Sequence, residues 1–218
     1  MPYELPLFPL QVVLFPGAPL PLHVFEPRYR QLLADCLEGD HQFGLTSALR
    51  PAPGSIGCVA LIRLTHPLPD GRSNIVVTGG SRFAVASLLE LDRPYPVAVV
   101  EDFDDDPGSA PSPETLSRLY ALASRYREAL ALLSDAGGDE PGWAEQPVPF
   151  SFQVAALLDA PLEAKERLLR LRSTAGRTEL LLDLLPDLLQ TATQRASVHV
   201  RARSNGAGGD HYDLLAEA

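Results

Sequence analysis

The residues best equipped for chemistry in this 218-residue chain are an acidic run, five histidines, two cysteines and one lysine. Asp102, Asp104 and Asp106 alternate as carboxylates do in a calcium-binding loop, where hard oxygen ligands surround the ion. Such a loop needs glycine at its sixth position and glutamate at its twelfth, and the chain has Pro107 and Pro113 there. A solvated linker is the better reading of the run. The histidines at 23, 41, 66, 199 and 211 show neither H-E-x-x-H nor H-x-x-x-H spacing, so no helix face offers a pair to a metal. His23 stands in an otherwise apolar stretch and reads as a satisfied structural histidine. Cys36 and Cys58 have no C-x-x-C arrangement for zinc and cannot build a disulfide framework. Among apolar neighbours they read as buried free thiols. Ser81 follows Gly79-Gly80 without the G-x-S-x-G frame of a nucleophile elbow. No G-x-x-x-x-G-K-[ST] run is present to cradle phosphates, and Lys165 falls on a helical pattern where an exposed lysine is ordinary. No catalytic residue, metal ligand or cofactor is therefore assigned. The sequence leaves open a composite site gathered from distant residues.

The composition, 45% hydrophobic and 21% charged, is that of an ordinary globular protein long enough to bury a sizeable core. Its formal charge of −10, from 28 acidic and 18 basic residues, weighs against nucleic acid as a partner, since phosphate neutralisation supplies most of that affinity. No apolar stretch reaches the roughly 18 residues of a membrane span without a proline or a charge. The start lacks the basic region and unbroken apolar run of a secretory signal. The expectation is no membrane and, by default, a cytoplasmic location.

Residues 5–29 hold six prolines and one glycine between apolar residues, with no charge from Leu5 to Val24. Breakers this frequent exclude a helix and predict short buried strands joined by proline turns. Glu26-Pro27-Arg28-Tyr29 then starts a helix, because proline suits the first helical position. Tyr29, Leu32, Leu33, Cys36 and Leu37 form one apolar face, and Gly39 stops it. Strand-like runs follow at Phe43–Thr46, Cys58–His66, Asn74–Thr78, Phe83–Leu91 and Tyr95–Phe103. Asp70-Gly71 marks a hairpin and Gly79-Gly80 a bend or bulge. Six or more short strands imply a small barrel or folded sheet.

Beyond the acidic run everything reads helical. Ser112-Pro113-Glu114 caps a helix whose apolar face is Leu116, Leu119, Tyr120, Ala123, Leu130 and Leu133. A loop at Gly137–Gly142 precedes helices at Phe150–Leu158 and Leu162–Leu171. The last helix repeats Leu181, Leu184, Leu185, Leu188, Leu189 and Ala192, and Pro186 inside it is expected to kink or break it. A glycine-rich tail begins at Ser204. The expected organisation is a β-rich subdomain (1–106), a linker (107–115), a helical subdomain of about four helices (116–203) and a flexible tail (204–218).

Specific runs in the first half are LPLFPL (5–10), VLFPG (13–17), PLHVFEPRY (21–29), Phe43-Gly44, IGCVA (56–60), Asp70-Gly71-Arg72 and GGSRF (79–83). With KERLL (165–169) and Arg177 ahead of a leucine-rich helix, they resemble the amino-terminal, substrate-recognising domain of the Lon protease family over about residues 3 to 192. The resemblance implies an α+β fold: a β-rich pseudo-barrel of the pseudouridine-synthase-and-archaeosine-transglycosylase (PUA-like) type with one embedded helix, then a helical bundle. It implies a non-enzymatic module that binds polypeptide segments or a partner protein, as an adaptor or quality-control accessory, because neither the ATPase nor the serine–lysine peptidase of full Lon proteases is encoded. An RNA- or nucleotide-binding role suggested by the barrel type, or an uncharacterised enzyme, are the rival readings. The motif residues Phe25, Glu26, Arg28, Tyr29, Gly79, Arg82 and Phe83 are read as structural. Glu26 is expected to contact Arg28 or Arg82, with an ion pair fastening the embedded helix to the barrel as the favoured form.

Overall fold

Proline spacing decides how the opening residues fold. Between Pro6, Pro9, Pro16, Pro19 and Pro21 only short extended segments fit, and they become β1 (Tyr3–Pro9) and β2 (Pro19–Val24). The structure is a computed structural model that describes residues 1–133 and 142–206, with side chains as far as 201. After β2 come α1 (Pro27–Glu38), β3 (Gln42–Thr46), β4 (Ile56–Pro67), β5 (Ser73–Leu89) and β6 (Val97–Asp102). Then follow α2 (Pro113–Ala131), α3 (Pro147–Leu157), α4 (Leu162–Arg170) and α5 (Thr174–Gly206). The loop expected at Gly137–Gly142 lies outside the described residues except for Gly142, and so does the expected tail beyond Gly206.

The strands form one sheet in the order β2-β5-β4-β3-β1-β6, and β6 returns to pair with β5. Five strands therefore close a ring, and β2 hangs from its outside on β5 alone. Only β1 and β3 run parallel. The two runs expected at 74–78 and 83–91 merge into the single long β5. Its first part pairs with β2 and the far end of β4, and its second part with β6. The register slips where Cys58 faces Arg82 and Ala60 faces Gly79, so the irregularity expected at the glycine pair lies within a continuous strand.

Glycine at 79 answers a close approach. A Cβ there would lie 2.0 Å from the Phe15 carbonyl oxygen, because Gly79 exchanges backbone hydrogen bonds with Gly17 and Ala18 at the start of β2. Phe83, fully buried, meets Leu5, Leu7, Val59, Val85, Ala98 and Val100 in one cluster. A second cluster joins the Tyr29-Leu32-Leu33-Cys36 face of α1 to Phe8, Phe43, Leu45 and Val77 of the sheet. Each such buried side chain stabilises by ~1.5–3 kcal/mol. Both thiols lie in this second cluster, and burial pushes each up to about 12.

The helices cohere around Leu119, Ala123, Tyr126, Phe152, Leu181 and Leu185. Val13 and Phe15 of the opening segment belong to this third cluster, while the intervening Leu14 belongs to the second. Successive side chains of an extended chain point oppositely, so one stretch is pinned to both halves. Ser112 caps α2 as expected, its Oγ accepting from the Thr115 N–H at 3.2 Å. Tyr120, expected on the buried face, is 54% exposed, and Tyr126 takes the core place. Of the kink or break expected at Pro186, the break does not occur: α5 runs through it. Pro186 lies on the exposed side of a stripe of buried Leu181, Leu185, Leu189, Ala192 and Ala196, and packing on both sides of it outweighs one lost hydrogen bond.

Asp35 ties α1 to the β5–β6 connection. Its carboxylate accepts from Tyr95 Oη, from Gln31 Nε2 at 2.7 Å and from Arg93 Nη1 at 2.5 Å. These bonds, Tyr95's first, hold the Asp35 carboxyl below its usual range, while burial and then Asp35 itself push the Tyr95 phenol up to about 12. A depressed carboxyl contributes stability that is complete above its unfolded pKa and lost as pH falls through the folded one. Tyr95→Phe should raise the Asp35 midpoint toward the ordinary carboxylate value and shrink the acid-side loss of stability, read by NMR titration and acid denaturation. Gly79→Ala should cost ~1–3 kcal/mol in urea denaturation, because backbone must move away from backbone.

Candidate functional site

The register places a patterned face on the part of the sheet outside the ring. Pro21, Val76 and Leu64 lie in one row across β2, β5 and β4, and His23, Asn74 and His66 in the row two residues on. Rows two apart share a face. The intervening row, Leu22, Ile75 and Thr65, points the other way, and Ile75 is buried in the α1 cluster. The outer face carries Leu64, 67% exposed, beside Pro21 and Val76, and it borders an open concavity of about 570 Å³. His23 is not a core histidine. It is exposed, its Nδ1 lies 2.7 Å from Asn74 Oδ1, and its ring stacks on Phe25, itself 57% exposed. The face is thus apolar at its middle and polar at its outer row.

The edges of this arm are blunted. Gly79 N–H donates to the Ala18 carbonyl, so the antiparallel alternation turns residues 20, 22 and 24 toward β5 and residues 19, 21 and 23 away. Two of the three outward residues are prolines with no N–H to offer. On the opposite side, β3 pairs with β4 only as far as Leu61, and a register slip at Arg63 disturbs the free stretch beyond it.

Where the arm and helices stand relative to each other is fixed by Asp105. Its Oδ1 accepts from Arg177 Nη2 at 2.6 Å, and its Oδ2 lies 3.2 Å from Arg82 Nη2. Arg82 comes from β5, Arg177 from the first turn of α5, and both side chains are almost fully buried. Arg82 Nη1 also donates to the Leu169 and Leu171 carbonyls at 2.6 and 2.8 Å. Arg177 donates through Nε to Ser151 Oγ and through Nη1 to the same Leu171 carbonyl, both at 2.8 Å. Phe152 underlies both guanidiniums, 3.9 Å from Arg177 and 5.2 Å from Arg82. Burial pulls both arginines below their ordinary pKa and the Asp105 charge opposes that shift; guanidiniums remain charged in such sites.

This geometry corrects two expectations. The acidic run is not uniformly solvated: Asp105 is held between two buried arginines, although Asp106 pairs at the surface with Arg172 at 3.1 Å. Glu26 does contact Arg28, at 2.8 Å, but both are substantially exposed and lie at the start of the same helix. No ion pair from Glu26 fastens that helix to the barrel, because Arg82 points to the helical half instead. Arg28 also covers the Tyr29 ring at 4.5 Å, and that ring packs on Phe8 at 4.1 Å. Among the described residues no group of three or more His, Cys, Asp or Glu side chains is placed to hold a metal, and no helix is long and apolar enough to cross a membrane.

A closed β ring with one embedded helix, followed by packed helices, defines an α+β protein. Residues 4–187 match the family model of the ATP-dependent protease La (LON) substrate-binding domain, and the chain belongs to that family. It is 29% identical over 197 residues to Lon protease 2 of Myxococcus xanthus and 27% identical over 197 residues to the Lon protease of Anaeromyxobacter dehalogenans. It spans about a quarter of those relatives: 24% and 23% of their length, against 85% of its own in each case. Among solved structures it is similar to a Lon N-terminal domain protein from Xanthomonas campestris, with a TM-score of 0.66 and 29% identity, covering 84% of this chain and 99% of that one. The N-terminal domain of a Mycobacterium avium complex Lon protease shares the fold at 15% identity, with a TM-score of 0.62 over 83% of this chain and 97% of that one.

Removing the shared carboxylate leaves two buried guanidiniums without a counter-charge. Asp105→Ala should therefore cost ~3–5 kcal/mol by urea denaturation. A loss near that of an exposed ion pair, ~0–1 kcal/mol, would show that the arginines do not need it.

Proposed function

We propose that this chain recognises exposed apolar segments of polypeptides through the outer face of the β2–β5–β4 arm, and binds them without chemically changing them. The observation that carries the reading is Leu64: a leucine two-thirds exposed on a strand, flanked across the sheet by Pro21 and Val76 around an open concavity. Apolar surface grouped in this way is a feature of interaction sites. An open face grips side chains by area with little sequence demand, which suits unfolded segments. Affinity is expected to be weak, because ordering a flexible ligand offsets much of the contact energy. Side-chain capture is favoured over strand addition, since main-chain pairing needs donors that Pro19 and Pro21 lack.

Membership of a substrate-binding family supports a polypeptide ligand, and delivery of such segments to a separate protease is the further part of the reading. The charge balance supports it against a nucleic-acid ligand. Among the described residues Arg82 and Arg177 are buried against Asp105, and Arg28, Arg72, Arg93, Arg172 and Arg195 each have a carboxylate beside them at the surface, which offsets their charge toward a phosphate.

The test uses a fluorescently labelled, reduced and carbamidomethylated protein as a permanently unfolded probe. Anisotropy should show saturable binding that Leu64→Asp weakens by about tenfold, the effect of losing roughly 1.4 kcal/mol of apolar burial. Because Leu64 is exposed, the variant should keep its circular dichroism and denaturation midpoint. Undiminished binding by a folded Leu64→Asp protein would remove the arm from the reading, and absence of binding by the parent would remove the reading itself.

A further inference from the structure

Trp143, the single tryptophan of the chain, is a wall shared by two concavities, one on the helical half and one between it and the Gly17–Pro19 segment. It is held in place: its Nε1 donates to Ser124 Oγ at 3.0 Å, and the next residue's N–H donates to Gln153 Oε1 at 2.7 Å. In one concavity a guanidinium already lies over the indole, that of Arg127, 4.1 Å from the ring centroid. The other, of about 470 Å³, brings Trp143, Tyr120 and Phe150 together with Glu145, and Arg127 does not line it. The Phe150 ring stands edge-on to Trp143 at 5.5 Å and tilted to Tyr120 at 5.9 Å, so three ring systems surround one space. Phe150 is buried and forms the floor. Tyr120, the residue that helical periodicity assigned to the core, stands over half exposed at the rim.

Aromatic faces carry negative partial charge and attract cations, and a carboxylate beside them adds a full one. A net charge of −10 raises the local concentration of cationic partners further. An apolar ligand would crowd the Glu145 carboxylate without pairing it, whereas a cation pairs it. Among side-chain cations a guanidinium fits best. It is planar, weakly hydrated, stacks on rings and offers parallel N–H groups to a carboxylate. Arg127 on Trp143 displays that stacking within the molecule itself.

We propose that the pocket of Trp143, Tyr120, Phe150 and Glu145 binds the arginine side chain of a polypeptide partner. The site lies on α2, α3 and the segment before α3, shares no lining residue with the β2–β5–β4 face, and does not depend on the reading given to that face.

Trp143 reports its own occupancy through intrinsic fluorescence. The probes are N-acetyl-arginine amide, its citrulline counterpart as a neutral near-isostere, and its lysine counterpart. The arginine compound should shift the emission saturably in the millimolar range, with citrulline about tenfold weaker and lysine between them. Glu145→Gln and Tyr120→Ala should each weaken arginine binding by about fivefold or more, with far-ultraviolet circular dichroism unchanged because both side chains are exposed. A non-saturable response, equal binding of citrulline, or full affinity in Glu145→Gln would overturn the assignment. Failure of the unfolded-protein probe to bind would leave these arms intact, so the two readings fail separately.

Discussion

Two buried guanidiniums converge on one carboxylate, and the relation between the two halves of the molecule depends on how that imbalance is met. Arg82 brings a charge from the sheet and Arg177 one from the last helix, while the intervening segment supplies only Asp105. The remainder of the compensation comes from carbonyls and the Ser151 hydroxyl. Leu169 and Leu171 lie at the C-terminal end of α4, where the final carbonyls lack intrahelical partners and the helix dipole is negative. A helix end that would otherwise face solvent instead completes the coordination of two cations. That requirement sets the distance and rotation at which α4 and α5 can approach β5.

Given that junction, the opening segment can serve three cores at once. Leu5 and Leu7 join the Phe83 cluster, Phe8 and Leu14 the α1 cluster, and Val13 and Phe15 the helical cluster. A stretch so divided gains its full burial only when sheet and helices are already in register. It also delivers β2 to the outside of β5, where Gly79 permits the Phe15 backbone to pass at contact distance. The exposed face of the arm follows from this route. Its three strands are bonded to one another, but among the described residues no later element returns to cover the Pro21–Val76–Leu64 row.

Local pattern made much of this legible. Pro27 with a five-residue apolar face specified α1, Ser112-Pro113 specified the start of α2, and the β-branched runs located the strands. The resemblance of the opening motifs supplied the barrel, which periodicity alone could not, because ring closure joins β6 to β5 and β1 across the whole first half. Asp105 was hidden by its company: aspartate, proline, glycine and serine make the same composition in a solvated linker and in a segment pinned by long-range charge. One signal did exist. Counting back in fours from Leu189, Leu185 and Leu181 reaches Arg177, an arginine on the stripe destined for burial, and a buried guanidinium requires an acidic partner elsewhere. Tyr120 shows the converse error, an aromatic assigned to the core by spacing that stands one residue off the buried Leu119–Ala123–Tyr126 stripe.

On the proposed reading the arm displays apolar surface to polypeptide and must avoid catching copies of the chain itself, and its edges bear on that problem. Side-chain contact on an open face is weak and reversible, whereas strand-to-strand pairing at a free edge propagates from chain to chain. Prolines at two of the three outward positions of β2 remove donors from one edge, and the register slip at Arg63 distorts the other. The residues that prevent pairing are also residues of the face: Pro21 contributes its ring to the Leu64 row while withholding an N–H from the edge. One side chain thus separates binding by area from binding by ladder. Replacing Pro21 with valine would keep apolar area and β propensity while restoring the donor, so the same face would persist beside an edge able to recruit strands.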